Sequence, residues 1–420
     1  MATGEGLVLR PFRGVRYAQD RVDLAAVTSP PYDLIAPGDV ERLERQEPHN
    51  VVRLVLGDRD AVAPERYART GTLLREWLST GALARDPAAA LYVHEQRSRD
   101  HLQRGLIGAV ELRAAQDRVI LPHEDVHPGP VADRLAQMRA TGANLEPIYL
   151  LVPGMGAATE VVDSVADDQP ALVDATTPDG TRQRLWALRD GEMLRTVAAA
   201  LRERQALIAD GHHRYATYGE LQAAYHQAEY GAGPWDAGLA LLVDSAAYPP
   251  ALHPIHRVVA GLPPDTLLRS LPADSTRTGV DPDLTAGLAA LRQARGPSRS
   301  SFLVVGGGEH VLVTLPHTGI AAAMPGDHSA AWRGLDVTVL HHAVLDGLLP
   351  GEDTVSFVHD PAAAVRMADG SGGGTAVLLN PPSVDEVTQV AATAERMPRK
   401  STSFGPKPRN GWVLRLLDES

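Results

Sequence analysis

The stretch 207–221, LIADGHHRYATYGEL, sets two histidines and an arginine side by side after an Asp-Gly pair. Leu207, Ile208 and Ala209 have the apolar character of a strand end. Asp210-Gly211 is a turn dipeptide in which glycine tolerates positive φ. Tyr215, Tyr218, Leu221 and Tyr225 then recur on one face of a helix. His212, His213 and Arg214 thus fall on the first helical turn, where backbone N–H groups lack intrahelical acceptors and the dipole end is positive. An arginine fork and two imidazoles make this corner suitable for a phosphate. The alternative is a structural turn with surface histidines. Chelation of one metal ion by neighbouring residues of a single turn is disfavoured, because their side chains diverge.

A second candidate is LPHEDVHPGP, residues 121–130. His123, Glu124 and His127 match H-E-x-x-H, the zinc protease pattern. That chemistry needs a continuous helix, so that both imidazoles share a face. Pro128 pushes His127 out of the α region, and Gly129 and Pro130 continue the break. RVIL, just before the motif, reads as a strand. No zinc site is expected here. Glu124 or His123 on a strand-end loop is a candidate base or ligand, set against a plain polar loop.

Weaker candidates complete the set. SPPYDLI (29–35) is a rigid turn that either places Tyr32 and Asp33 or simply connects. RPFRGVRY (10–17), ALHPIHRVV (251–259) and SFGPKPRNGW (403–412) carry cationic groups that either contact an anion or face solvent. Walker, Rossmann and nucleophile-elbow motifs do not occur, and GGGEH (306–310) reads as a hairpin turn.

These residues need a scaffold. NVVRLVLG (50–57), ALYVHEQ (90–96), GLIGAVEL (105–112), PIYLLV (147–152), GLALLVDS (238–245), SFLVVGGG (301–308), HVLVTL (310–315) and TAVLLN (375–380) read as strands. Helices are expected at 64–80, 131–142, 191–205, 215–229, 284–295 and 384–397. The mixture predicts an α/β (α+β) protein with mixed sheets. Turn-rich stretches at 153–182 and 261–282 mark soft boundaries, and DGSGGGT (369–375) reads as a connector.

With 420 residues, 44% of them hydrophobic, the chain can bury a sizeable core in two or three domains. Its formal charge of −12 supplies no overall basic footprint for nucleic acid. The absence of cysteine removes thiolate catalysis, disulfides and Cys-ligated metals. No apolar run reaches membrane-spanning length and the N-terminus lacks an apolar signal core, so a cytoplasmic protein is expected.

The motifs RPFRGVRY, SPPYDLI, HNVVRLVLG, ALYVHEQ, LPHEDVHPGPVADRL, ANLEPIYLL, IADGHHRYATY, LHPIHRVV and MPRKSTSFGPKPRNGWVLRLL follow one another in this order. On them the chain is identified as a member of the bacterial and archaeal family called domain of unknown function 1015. DGHHR also resembles the nucleotide-phosphate corner of the ParB/sulfiredoxin superfamily. That corner reads G-E-R-R in ParB and G-C-H-R in sulfiredoxins, with a related Gly-His-His-Arg form in free-serine kinases. His212 stands where sulfiredoxin has its reactive cysteine, so sulfiredoxin chemistry is excluded. No helix-turn-helix DNA reader is evident.

The resemblance implies a ParB/sulfiredoxin-like nucleotide-binding core at 183–260. An N-terminal α/β lobe at 1–152 and a C-terminal α/β lobe at 283–420 would flank it. It implies a nucleotide-dependent kinase in which ATP or ADP, with Mg²⁺, phosphorylates a small hydroxyl-bearing acceptor, L-serine or a serine-like compound first. Gly211, His212, His213 and Arg214 would bind the phosphates. Glu124 would be the base, with Asp210 the second choice, and either acid could hold Mg²⁺. His123, Arg134, Asn144, His253, His256 and Arg257 would line the substrate or the rim. Arg214→Ala is then expected to abolish nucleotide binding in a folded chain. A ParB-like switch or slow NTPase acting through a protein partner is the alternative, and a non-enzymatic scaffold the third. The acceptor and the oligomeric state stay open.

Overall fold

The computed structural model describes residues 6–349, 354–370 and 373–418. The architecture is mixed α/β. The chain divides into two compact units. Met1–Pro250 and Pro406–Ser420 form the first, and Ala251–Gly405 the second.

The first unit is built on a nine-stranded sheet. In chain order its strands are β1 (Leu9–Arg10), β2 (Leu91–Arg97), β3 (Leu102–Glu111), β4 (Ile120–Leu121), β5 (Ile148–Val152), β6 (Val173–Thr176), β7 (Arg182–Leu188), β8 (Ala206–Asp210) and β9 (Ala237–Asp244). Their spatial order is β4-β8-β5-β9-β3-β2-β7-β6, with β1 pairing β3. Pairings β4–β8 and β5–β9 are parallel and the rest antiparallel. Strands buried on both faces read as unbroken apolar runs, which is why GLALLVDS and PIYLLV were legible.

One face of this sheet carries Val93, Leu106, Leu150, Ile208 and Leu242 into the main core. Helices α2 (Pro128–Thr141), α3 (Ala157–Asp168), α4 (Gly191–Leu201) and α5 (His212–Gln227) contribute Met138, Val162, Val197 and Tyr218 to the same cluster. The opposite face buries polar residues. Gln96 lies directly across from both Gln103 and Gln183, and His94 Nε2 is 3.0 Å from Gln183 Oε1.

Helix α1 (Ala63–Ser79) packs against α2. Gly71 permits the approach, since a Cβ there would lie 2.2 Å from the Ala140 carbonyl oxygen. The C-terminal segment returns to this unit. Leu414 exchanges backbone hydrogen bonds with Val15, and Arg415–Leu416 pairs with Ala143–Asn144.

The second unit holds a six-stranded antiparallel sheet. Its strands are β10 (His256–Val259), β11 (Thr276–Val280), β12 (Arg299–Gly306), β13 (Glu309–Pro316), β14 (Val355–Val358) and β15 (Thr375–Leu379), in the order β11-β13-β12-β15-β10-β14. Gly307 and Gly308, both at positive φ, close the β12–β13 hairpin as GGGEH predicts.

Three expectations change. NVVRLVLG forms a helical turn at Val52–Val55 and not a strand. Asn50 explains it: its Oδ1 accepts from the Val52 N–H while its Nδ2 donates to the Ala26 and Thr28 carbonyls, bending the chain. The turn-rich stretch 153–182 separates no lobes, because strands before and after it share the nine-stranded sheet. Residues from 406 onward join the first unit and leave the expected C-terminal lobe. The connector expected at 369–375 lies partly outside the described residues, at 371–372. Among the described residues no helix is long and apolar enough to cross a membrane.

Two outcomes follow from this packing. Gly71→Ala should destabilise the first unit by about 1–3 kcal/mol, because neither helix backbone can give way; denaturant titration measures it. Burial pushes the His94 pKa down to about 4, opposed by its bond to Gln183. The folded value lies below the ordinary histidine value, so the unfolded state takes up more protons between them. The contribution of His94 is then intact above about pH 6.5 and lost as pH falls toward 4. His94→Asn should flatten that part of the pH–stability curve, and an unchanged slope would acquit His94.

Candidate functional site

Strand β8 delivers Asp210 to the sheet edge, and Gly211, at φ +95°, turns the chain into α5. A side chain at 211 would be strained by that φ and would press on Ile148 Cγ2 at 3.0 Å and Arg214 Nε at 3.1 Å. Tyr218 and Leu221 anchor the helix in the core, leaving its N-terminal turn at the corner. The strand–turn–helix reading of 207–221 therefore describes the local geometry.

Arg214 does not face outward. It is 4% exposed, and its guanidinium donates to Asp210 Oδ2 and to the Pro147 carbonyl. Burial works against the guanidinium, but Glu146 and Asp210 outweigh it, and its pKa lies above the ordinary value. The expected arginine fork toward a ligand is instead an internal clamp on the turn.

Lys407 takes the other oxygen of Asp210. Its Nζ lies 2.6 Å from Asp210 Oδ1 and 2.6 Å from Asp33 Oδ2. Burial lowers its pKa, yet the two carboxylates raise it further, so the ammonium stays charged. Asp33 comes from the short turn Tyr32–Leu34 that follows Pro30-Pro31, so SPPYDLI does place its acid. Behind it, Glu146 accepts from Asn410 Nδ2 at 2.6 Å and lies 4.0 Å from Arg134 Nη1. The Arg134 guanidinium also stacks 5.0 Å from the Tyr32 ring centroid. Arg134, Glu146, Arg214, Asp210, Lys407 and Asp33 thus form a row of alternating charge through the first unit.

Two expected rim residues serve the fold. Arg134 Nη1 donates to the Val55 carbonyl at 2.8 Å. Asn144 is 1% exposed, with Oδ1 accepting from the Leu239 N–H and from Arg415 Nη1, both at 3.2 Å. His253, His256 and Arg257 belong to the second unit and have partners within it. His256 Nδ1 accepts from the Leu379 N–H at 3.2 Å, and Arg257 Nε lies 3.0 Å from His341 Nε2. The His253 N–H donates to the Ser403 carbonyl.

The loop bearing LPHEDVH closes over the corner. His127 is extended (φ −100°, ψ 137°) and α2 begins only at Pro128, so no helix spans 123–127. The His123 N–H donates to His212 Nε2 at 3.2 Å, and the His127 N–H to His213 Nε2 at 3.0 Å. The His123 and His212 rings meet edge to face, 4.5 Å apart. Glu124, with its side chain 43% exposed, brings Oε2 to 3.5 Å from His212 Nδ1 and Oε1 to 3.8 Å from His123 Nε2.

These side chains bear on a metal. Potential donor atoms of His123, Glu124 and His212 all lie within 4.8 Å of one another. Two imidazoles and a carboxylate suit a transition metal better than Mg²⁺, which prefers oxygen and keeps its waters. For Mg²⁺, a half-exposed carboxylate such as Glu124 fits. Asp210 does not, since Arg214 holds one of its oxygens and Lys407 the other.

The sequence reading brought together His123, Glu124, Asp210, Gly211, His212, His213 and Arg214. It missed Glu146, whose one sign was a lone acid before proline in the apolar run ANLEPIYLL. It treated Lys407 as one loop cation among several.

The model of the family described as "Protein of unknown function (DUF1015)" matches residues 9–338, and the chain belongs to that family. No curated protein matches it by sequence. Among solved structures, the chain is similar to a free serine kinase in complex with AMP, at 15% identity and TM-score 0.34, covering 75% of this chain and 93% of that one. It is also similar to SbnI with C-terminal truncation from Staphylococcus aureus, at 13% identity and TM-score 0.36, covering 74% and 87%. A conserved hypothetical protein from Pyrococcus furiosus gives 14% identity and TM-score 0.31, covering 75% and 97%.

The inward clamp changes what Arg214→Ala should do. Asp210 and Glu146 would stay buried with one cation fewer, which costs about 3–5 kcal/mol. The variant should melt well below wild type in the absence of any ligand, and an unchanged melt would return Arg214 to a purely ligand-facing role.

Proposed function

We propose that this member of the DUF1015 family is a nucleotide-dependent kinase. In this reading ATP or ADP binds at the Gly211 corner and phosphorylates a hydroxyl of a small molecule, L-serine or a serine-like compound first. One observation carries the reading. A half-exposed carboxylate, Glu124, and a charged ammonium, Lys407, both stand at the N-terminal turn of α5, whose N–H groups lack intrahelical acceptors.

Phosphoryl transfer asks for little covalent help from a protein. It needs phosphates held in place, developing charge neutralised and the attacking hydroxyl oriented. The first-turn N–H groups of His212 and His213 would grip phosphate oxygens, with Gly211 providing the turn. Lys407 would supply the facing positive charge, and Arg214 would hold Asp210, hence the turn, from behind. Glu124 would accept the hydroxyl proton as the acceptor oxygen forms its bond to the terminal phosphorus. The bond from that phosphorus to the leaving phosphate breaks, releasing ADP from ATP or AMP from ADP. Mg²⁺, held through the nucleotide phosphates, would neutralise charge on the transferring group. His123 borders the acceptor side of Glu124. A cytoplasmic nucleotide pool is the setting this chemistry requires.

The test combines binding and turnover. Thermal shift with ATP and ADP in Mg²⁺ reads nucleotide binding. Mass spectrometry over pooled hydroxy amino acids reads a phosphate mass gain. Glu124→Gln should keep binding and reduce turnover by about 10²–10⁴-fold. Lys407→Met should weaken nucleotide binding by about tenfold or more, as loss of a charged hydrogen bond does. Turnover surviving in Glu124→Gln would remove Glu124 as base. Nucleotide binding by wild type with no phosphorylated product would favour the switch reading, and no binding at all the scaffold.

A further inference from the structure

Two adjacent histidines at the corner are held in the same way by the same loop. The His123 N–H points at His212 Nε2 and the His127 N–H at His213 Nε2, at 3.2 and 3.0 Å. A backbone N–H can only donate, so each Nε2 must present its lone pair. A neutral imidazole that accepts at Nε2 carries its proton on Nδ1. Neutrality of His213 agrees with its pKa, which burial and His127 push down against the opposing pull of Asp33. For His212 the consequence is directional: its Nδ1 is the atom 3.5 Å from Glu124 Oε2.

This arrangement counts against a metal cage of His123, Glu124 and His212. Ligation through His212 Nδ1 would require the imidazole proton on Nε2, where the His123 N–H already points. Ligation through Nε2 would require that N–H to leave.

We propose that His212 is a positioning residue, locked in its Nδ1–H tautomer by the backbone of the loop that carries Glu124, and that its Nδ1–H aims the Glu124 carboxylate. His213, locked likewise by His127, fastens the far end of the loop. The lock is reciprocal, because the loop fixes the imidazoles and the imidazoles fix the loop. Its role in aiming a base rests on the kinase reading above; the lock itself does not.

Long-range ¹H–¹⁵N NMR of the full chain labelled with ¹⁵N-histidine tests it directly. The two signals are identified by their loss in His212→Asn and His213→Asn. Both should show a protonated Nδ1 and a bare Nε2. A protonated Nε2 at His212 overturns the proposal. So does stoichiometric Co²⁺ binding with imidazole-ligand absorption bands that vanish in both Glu124→Gln and His212→Asn. In turnover, His212→Asn keeps an N–H near the Nδ1 position and should lose clearly less kcat than His212→Gln. His212→Gln places its amide near the Nε2 position and should lose about 10- to 100-fold in kcat at unchanged nucleotide KM, as loss of an orienting partner does. Equal losses in the two variants overturn the aiming role. Wild type with the Nδ1–H pair but no product on any acceptor would support the lock and sink the kinase reading alone.

Discussion

Asp210 is the carboxylate on which the corner depends. One oxygen is held by Arg214, four residues ahead on the helix, and the other by Lys407 from the C-terminal segment. A single side chain thus ties the end of β8, the start of α5 and a distant tail. Lys407 extends the tie to Asp33 in the N-terminal turn. A buried charge is tolerated only when paired and hydrogen-bonded, and removing one partner leaves the other uncompensated. Here what the pairs fix is position. The tail is also fastened beside this point, where Asn410 pairs with Ser29 and donates to Glu146, so the tie sets the ammonium on a segment already held in place.

The same network bears on how an acidic protein could hold the nucleotide proposed at this corner. A net charge of −12 would repel a nucleotide if it were spread evenly. At the corner, however, Asp210 and Asp33 are engaged by Lys407 and Arg214, and Glu146 by Asn410 with Arg134 nearby. With those charges paired, the positive field that the helix N-terminus offers comes from its dipole end.

What could be read from the sequence was local, and what could not was long-range. The strand, Asp-Gly turn and amphipathic helix of 207–221 lie within fifteen consecutive residues, so periodicity and turn chemistry were sufficient. The orientation of Arg214 depends on the Asp210 carboxylate four residues before it, a pairing DGHHR does carry, and on the Pro147 carbonyl, 67 positions away, which it does not. Lys407 reaches Asp210 across nearly two hundred residues, and SFGPKPRNGW read in isolation is a surface loop. The run 50–57 misled for a different reason. Its valines and leucines suit a strand, but Asn50 supplies local hydrogen bonds that bend the chain into a turn. H-E-x-x-H does not lie on one helix, because Pro128 starts a helix where the motif needed to continue one. Yet His123 and Glu124 do meet a histidine, His212, brought from α5.

That meeting bears on which acid does chemistry. Asp210 is bound by both an arginine and a lysine, and Asp33 shares the same ammonium. Glu124 differs in what it faces: imidazole nitrogens at 3.5 and 3.8 Å, with nearly half of its side chain open to solvent. Of the two acids that the sequence put forward as base, the surroundings therefore separate the roles. Asp210 ties the corner together, and Glu124 is the acid whose surroundings fit the base of the proposed kinase.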